Sequence, residues 1–294
     1  MTEPEDLLDL HLAVLFTQDE QGNLVATNDP EPDQVAAPRL YLGRGPGRSV
    51  LRFRRGMDES TRAALRDLAA PDLTANDPNH EPVNLAAIEA LLAAEQSIQN
   101  VYFGPAFRFP DVGAVTYQGR RAGPVPSPSM GEGEGEGAPR PRSGMSTSEA
   151  AASESREQSP GPLRHSGEGR SPDPSTADVI GISPSTTHLL SPEFAWLADE
   201  LTVRNPVMAV IVDGVAVSVC FSARSTSLAS EAGVETLPEH RGRRYAGAVT
   251  AAWAAEVQRQ GRIPLYSTSW TNHASRRVAA RLGLIQYATD FHIT

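Results

Sequence analysis

Lysine is absent from this chain of 294 residues; all 26 basic residues are arginine. A P-loop lysine gripping a phosphate, a Schiff-base lysine and pyridoxal-phosphate chemistry are thereby excluded. Cysteine is almost absent. The single Cys220 excludes an internal disulfide framework and a cysteine-rich zinc site. No metal is expected, and a reducing, cytoplasmic home fits. Long apolar runs are also missing: none approaches the ~20 residues of a membrane span. The acidic N-terminus lacks the basic n-region of a signal peptide. No membrane partner is expected.

Charge of one sign is locally scarce. The formal net charge is −10, yet residues 238–294 hold eight arginines against Glu239, Glu256 and Asp290. A basic module inside an acidic chain points to a local anionic ligand. The overall negative charge, and the lack of aromatics interleaved with the arginines of the Arg241–Arg244 loop, argue against nucleic acid as partner.

The middle of the chain has no aromatic residue between Gly123 and Ser175, while Gly, Pro and Ser dominate there, including the run GEGEGEG. Such a stretch offers too little apolar surface to offset its chain entropy and reads as a disordered insert over 123–175. It divides the chain into a small α+β domain over 1–122 and a second domain over 176–294. In the first, a leucine-rich helix is expected over Pro4–Phe16. Strands are expected at Leu24–Thr27, Leu40–Leu42, Val50–Phe53 and Asn100–Phe109, and helices at Glu59–Leu68 and Asn84–Ala94. His11, Tyr102, Phe103 and Phe107 read as packing residues.

The second region has sharper signals. A helix is expected near Pro192–Thr202. The runs VMAVIV and VAVSVCF flank Asp213-Gly214, a pair suited to the positive φ angles of a tight hairpin turn. Cys220 reads as a small core residue of the second strand. A short strand over Gly233–Leu237 ends at Pro238. A helix from Arg244 carries Ala246, Val249, Trp253 and Val257 on one stripe and stops at Gly261. A strand over Ile263–Trp270 follows. Thr271 or Asn272 caps the next helix, Gly283 ends it, and an alternating, half-buried strand closes the chain.

The segment HRGRRYAG, His240–Gly247, sits at a strand–turn–helix junction. There the first helical N–H groups are unpaired and the positive end of the helix dipole lies behind them. That is an anion site suited to a diphosphate. Gly242 and the small Ala246 permit close backbone approach, and Arg241, Arg243 and Arg244 add charge.

These residues resemble the acetyl-CoA loop of the GNAT N-acetyltransferase superfamily, Arg/Gln-x-x-Gly-x-Gly/Ala, with Arg241 at its first position and Ala246 at its last. The strand PLYSTSW followed by NHASRRVAARLGL is similar to the family's second block. The resemblance covers Val207 to the C-terminus. It implies a mixed central sheet with flanking helices and two parallel strands that splay apart, with acetyl-CoA as donor and an amine of a small molecule or peptide as acceptor. Pantetheine would pair near Thr236 and Leu237. The pyrophosphate would lie on the amides of Arg241, Gly242, Arg243, Arg244, Tyr245, Ala246 and Gly247, and Asn272 would reach the pantetheine or phosphate end. Two departures stand out. Arg244 replaces the loop's central glycine, and Ala279 stands where many members place a proton-donating tyrosine, with Tyr266 and Tyr287 nearby in sequence.

Attack needs a neutral amine, hence a base. Glu235, beside the donor site, is the expected catalytic base, with Glu231 next. His240 and His273 read as a solvated turn residue and a structural residue. The expected function is an N-acetyltransferase; the alternative is a catalytically weak or inactive acyl-CoA-binding sensor of the same fold.

Overall fold

The computed structural model describes residues 4–75, 77–110 and 178–294. The insert expected over 123–175 lies outside the described residues. Eleven strands and six α-helices occur along the described residues. The first helix, α1 (Pro4–Leu15), leads into β1 (Phe16–Gln18) and β2 (Leu24–Thr27), which pair with each other. Then come β3 (Leu40–Gly45), β4 (Arg48–Phe53), α2 (Glu59–Leu73), α3 (Leu85–Glu95) and β5 (Val101–Arg108). After the insert follow β6 (Asp178–Gly181), α4 (Leu197–Glu200), β7 (Val207–Val212), β8 (Val215–Ser225) and β9 (Ala229–Thr236). The chain closes with α5 (Tyr245–Arg259), β10 (Ile263–Ser267), α6 (His273–Arg281) and β11 (Ile285–Ile293).

Nine strands form one mixed sheet in the order β4-β3-β11-β5-β10-β9-β8-β7-β6. Every neighbouring pair is antiparallel except β9 and β10. Strands from before and after the insert thus interleave: β11 pairs with both β3 and β5, and β5 also pairs with β10.

Side-chain alternation assigns the two faces. Leu7, Leu8, Leu12 and Leu15 of α1 pack with Tyr41, Ala229, Leu265 and Tyr287. On the opposite face, Leu40, Leu42, Phe291 and Ile293 meet Leu65, Ile88 and Leu92 of α2 and α3. Val249, Trp253 and Val257 of α5 pack with Val219, Cys220 and Tyr266, which places three residues of the predicted stripe and Cys220 in the core, while Ala246 in the first turn stays partly exposed.

Local signals predicted most elements well. Asn272, one of the two residues expected to cap that helix, caps α6 through Ser275; Asp58, not singled out in the sequence, caps α2 through Ser60 and Thr61. Asp213 and Gly214 adopt φ of 51° and 81°, as the hairpin turn requires. Three expectations change. The helix expected over Pro192–Thr202 breaks into a 3₁₀ turn, Pro192–Phe194, and the short α4. Phe194 and Leu197, three residues apart, both enter the core, and the tight turn sets i and i+3 on one line. The strand at Gly233–Leu237 begins earlier, at Ala229, because polar Ser230 and Glu231 are buried by tertiary neighbours. The final strand is not half-buried: Tyr287 to Phe291 are all buried because both faces of β11 are covered.

Gly104 in β5 is required by a close crossing. A Cβ there would lie 1.9 Å from the Thr268 carbonyl oxygen, just beyond the end of β10. Replacing Gly104 with Ala is expected to destabilise the fold by at least about 1–3 kcal/mol, the usual penalty of overpacking. Urea unfolding measures this, and an unchanged midpoint would refute the crossing.

Candidate functional site

The parallel pair β9 and β10 runs in register only from Ile263↔Ala229 to Leu265↔Glu231. Beyond that point β9 stays with β8 as far as Thr236↔Ser218, whereas β10 stays with β5 through Ser267↔Ala106. The chain after β10 continues along β5: the amides of Thr268 and Trp270 donate to the carbonyls of Pro105 and Phe103. A wedge therefore opens between residues 232–236 and the end of β10. At its vertex the Glu231 carboxylate takes the Ser267 amide at 2.5 Å.

At the wide end β9 runs through the turn Pro238–His240 into α5. Gly242 and Arg244 both have left-handed φ, 77° and 67°. Arg244 is the N-cap of α5 and makes no side-chain cap bond, in contrast to Asp58 and Asn272. The first-turn amides of α5 thus have no capping side chain, and the positive end of the dipole is presented. Arg241, Gly242 and Arg244 are exposed, and Arg243, Ala246 and Gly247 are partly exposed. The Arg241 Nε donates to the Thr236 carbonyl at 3.2 Å, folding that side chain back over the end of β9. The Tyr245 side chain is buried under the loop, beside His240, with 6.4 Å between ring centroids.

The other expected positions are engaged as follows. The Thr236 and Ser218 hydroxyls are 2.7 Å apart, and the Leu237 amide donates to Val217. Asn272 spends its side-chain oxygen on the α6 cap, and His273, Arg276, Arg277 and Ala280 line a shallow hollow on that helix. Ala279 is buried. Tyr266, its neighbour in the same core cluster, has its hydroxyl 2.6 Å from that of Ser275, and burial lifts its pKa to about 12.

The two carboxylates of β9 differ sharply. The Glu235 side chain reaches solvent, yet the protein around it raises its pKa through desolvation, with Arg204 opposing. Glu231 is buried, and desolvation raises its pKa against the opposing pull of His11 and Ser267.

Sequence reasoning passed over His11 and Asp290. His11 occupies a place on the leucine stripe of α1, and that mismatch was the available signal. Its ring is fully buried and bonded to the Asp290 carboxylate. Burial alone would lower its pKa, but Asp290 and Glu231 outweigh it and the net shift is upward. Asp290 sits where strand alternation predicts an outward residue, so no local pattern marks it. No cluster of three or more His, Cys, Asp or Glu side chains suited to a metal occurs among the described residues, and no helix among them is long and apolar enough to cross a membrane.

Residues 208–289 match the model of the GNAT acetyltransferase family. Solved structures to which the chain is similar include a GNAT-family protein from Novosphingobium aromaticivorans, 21% identical over 42% of this chain and 60% of its own, TM-score 0.31. Another is a GCN5-related N-acetyltransferase-like protein from Streptococcus suis, 20% identical over 40% of this chain and 50% of its own, TM-score 0.33. A third is yncA from Salmonella typhimurium with its cofactor acetyl-CoA, 19% identical over 35% of this chain and 70% of its own, TM-score 0.29. The chain thus spans 60% and 50% of the lengths of the first two. No curated protein matches it.

The left-handed φ of Arg244 carries a testable strain. A non-glycine residue there costs about 1–2 kcal/mol, more than the ~0.4–1 kcal/mol of unfolded-state freedom that glycine restores. Arg244→Gly should stabilise the protein by a net ~0.5–1 kcal/mol. A lower urea midpoint in the variant would refute it.

Proposed function

We propose that the protein is an N-acyltransferase that moves an acetyl group from acetyl-CoA to the amine of a small-molecule or peptide acceptor. One observation carries the reading: a wedge between two parallel strands whose wide end meets an uncapped, arginine-flanked helix N-terminus. The family match supports acyl transfer as the class of reaction.

Acetyl-CoA fits this arrangement as an extended molecule with an anionic end. Its pyrophosphate would rest on the amides from Arg241 to Gly247, with the dipole of α5 behind them. Its pantetheine would lie along residues 232–236, an edge of β9 without a strand partner among the described residues. The thioester end then points toward the vertex, away from the arginines. Asn272 would reach the pantetheine or phosphate end of the same ligand. Glu235, raised in pKa and accessible, would take the first proton from the incoming ammonium and leave a neutral amine.

Thiol release from acetyl-CoA across a panel of primary amines tests the reading. The second reading, an acyl-CoA-binding sensor, draws on Ala279, apolar and buried where a tyrosine donor is common. Tight acetyl-CoA binding with no thiol release from any amine would favour it.

Two further outcomes are expected. Glu235→Gln should lower turnover roughly 10²-fold or more while leaving the acetyl-CoA Kd unchanged. The loss should shrink at high pH, where the amine arrives neutral; turnover within twofold of the parent at neutral pH would remove Glu235 from the mechanism. Arg241→Ala, and Gly242→Val at its left-handed φ, should each raise the Kd roughly tenfold, about 1.4 kcal/mol. Arg244→Gly should weaken binding even though it stabilises the fold. Calorimetric titration reads all three, and unchanged affinity throughout would refute the anion loop.

A further inference from the structure

A chain of ionisable side chains lies beneath the vertex of the wedge, on the face covered by α1. His11 stands between carboxylates from two different strands. Its Nε2 meets Asp290 Oδ2, and the Tyr41 hydroxyl donates to Asp290 Oδ1 at 2.7 Å. Its Nδ1 faces Glu231 Oε2 at 3.9 Å, and neither of these two atoms has a hydrogen-bond partner among the described residues. The other Glu231 oxygen holds the Ser267 amide. Ser267 ends β10 where the wedge opens and is only half-buried. Leu265, two residues earlier in β10, packs in the cluster under α1 while Tyr266 joins the opposite one, so strand alternation turns the Ser267 side chain to the face that Glu231 and His11 share.

The remaining groups around the chain come from β5, β8 and β11. Tyr102 stacks on His292 at 4.6 Å, Tyr287 meets His11 edge-on at 5.8 Å, and Arg224 acts on His11 from β8 while paired with Asp29. Two carboxylates and an imidazole enclosed together are no route to stability. Apolar residues of similar volume would serve a core at least as well, and the rest of this α1 stripe is leucine. Two unpartnered atoms facing each other, one strand residue from an opening cleft, form an arrangement for holding and releasing a proton.

We propose that Glu231 and the Ser267 hydroxyl form the proton relay of the acyl transfer, with Ser267 as its outlet at the vertex of the cleft and His11, held by Asp290, positioned behind Glu231. The inference rests on the acyl-transfer reading and names where the second proton goes after Glu235 has taken the first. The neutral amine's lone pair forms the C–N bond as the carbonyl π pair moves onto oxygen. The added nitrogen then gives a proton to Ser267 Oγ while the Ser267 hydroxyl proton passes to the Glu231 carboxylate. When the carbonyl re-forms, the C–S bond breaks with its electron pair on sulfur. The proton returns from Glu231 through Ser267 to the thiolate. Amide and free thiol result, and the relay ends as it began, which supplies the donor that Ala279 does not. His11 is a positioning residue here: held by Asp290, it faces Glu231 and favours the proton-accepting carboxylate.

The test compares the full chain with Ser267→Ala, Glu231→Gln and His11→Gln, using acetyl-CoA and the panel amine that gives the fastest thiol release. Ser267→Ala keeps the backbone amide that Glu231 holds, so it tests the outlet without opening the core. Ser267→Ala and Glu231→Gln are expected to lower kcat roughly 10²-fold or more, with the acetyl-CoA Kd within about twofold of the parent. Because they act in series, the double variant should lose no more than the worse single one. His11→Gln should move the acid limb of kcat/KM to higher pH, since Glu231 loses the neighbour that lowers its pKa. A purely structural histidine would lower the melting temperature and leave that limb in place. Parent activity that Ser267→Ala and Glu231→Gln leave within twofold overturns the relay alone. No thiol release by the parent with any amine overturns the acyl-transfer reading, and the relay's role with it.

Discussion

The hydrogen bond from the Ser267 amide to the Glu231 carboxylate stands where two parallel strands part, and the geometry of the site follows from that parting. A parallel ladder would ordinarily continue by offering each amide to the neighbouring strand. Here the amide goes to a side chain, β9 follows β8, and β10 follows β5. The unpaired edge that results is a place where an extended ligand can add as a strand would. The close crossing of Gly104 beneath Thr268 keeps the chain after β10 on the β5 side, so the wedge is held open from both flanks.

The two ends of the wedge have opposite electrostatics. The wide end is cationic: arginines and an uncapped helix N-terminus face solvent, where an anion can arrive and exchange. The narrow end is enclosed and carries carboxylates, an imidazole and phenols that face one another away from water. Within the buried cluster the same desolvation acts in different directions. It raises Glu231, Tyr41, Tyr102 and Tyr287, lowers His292 to about 4, and is outweighed only at His11, where Asp290 is in direct contact. A cationic, solvent-facing environment and an enclosed, titratable one are thus separated along a single strand.

The interleaving of the sheet ties this site to the N-terminal part of the chain. His11 comes from α1, Tyr41 from β3 and Tyr102 from β5, while Asp290 and Glu231 come from the other side of the insert. The region that matches the family model, residues 208–289, contains the wedge and the anion loop. His11 and Asp290 both lie outside it. The environment of Glu231 is therefore a property of the whole sheet.

Local pattern in the sequence determined the hairpin at Asp213-Gly214, the cap at Asn272, most of the stripe of α5 and the loop HRGRRYAG, because each depends on residues within a turn or two of one another. Tertiary structure alone decided that Ser230 and Glu231 are buried, that both faces of β11 are covered, and that Asp290 lies against a histidine 279 residues away. A period-2 pattern assumes that one face of a strand is wet, and it fails where helices cover both faces. A carboxylate reads as solvent-exposed until the group that compensates its burial is known. For Glu231 and Asp290 that group is His11, brought to them only when strands from both ends of the chain enter one sheet.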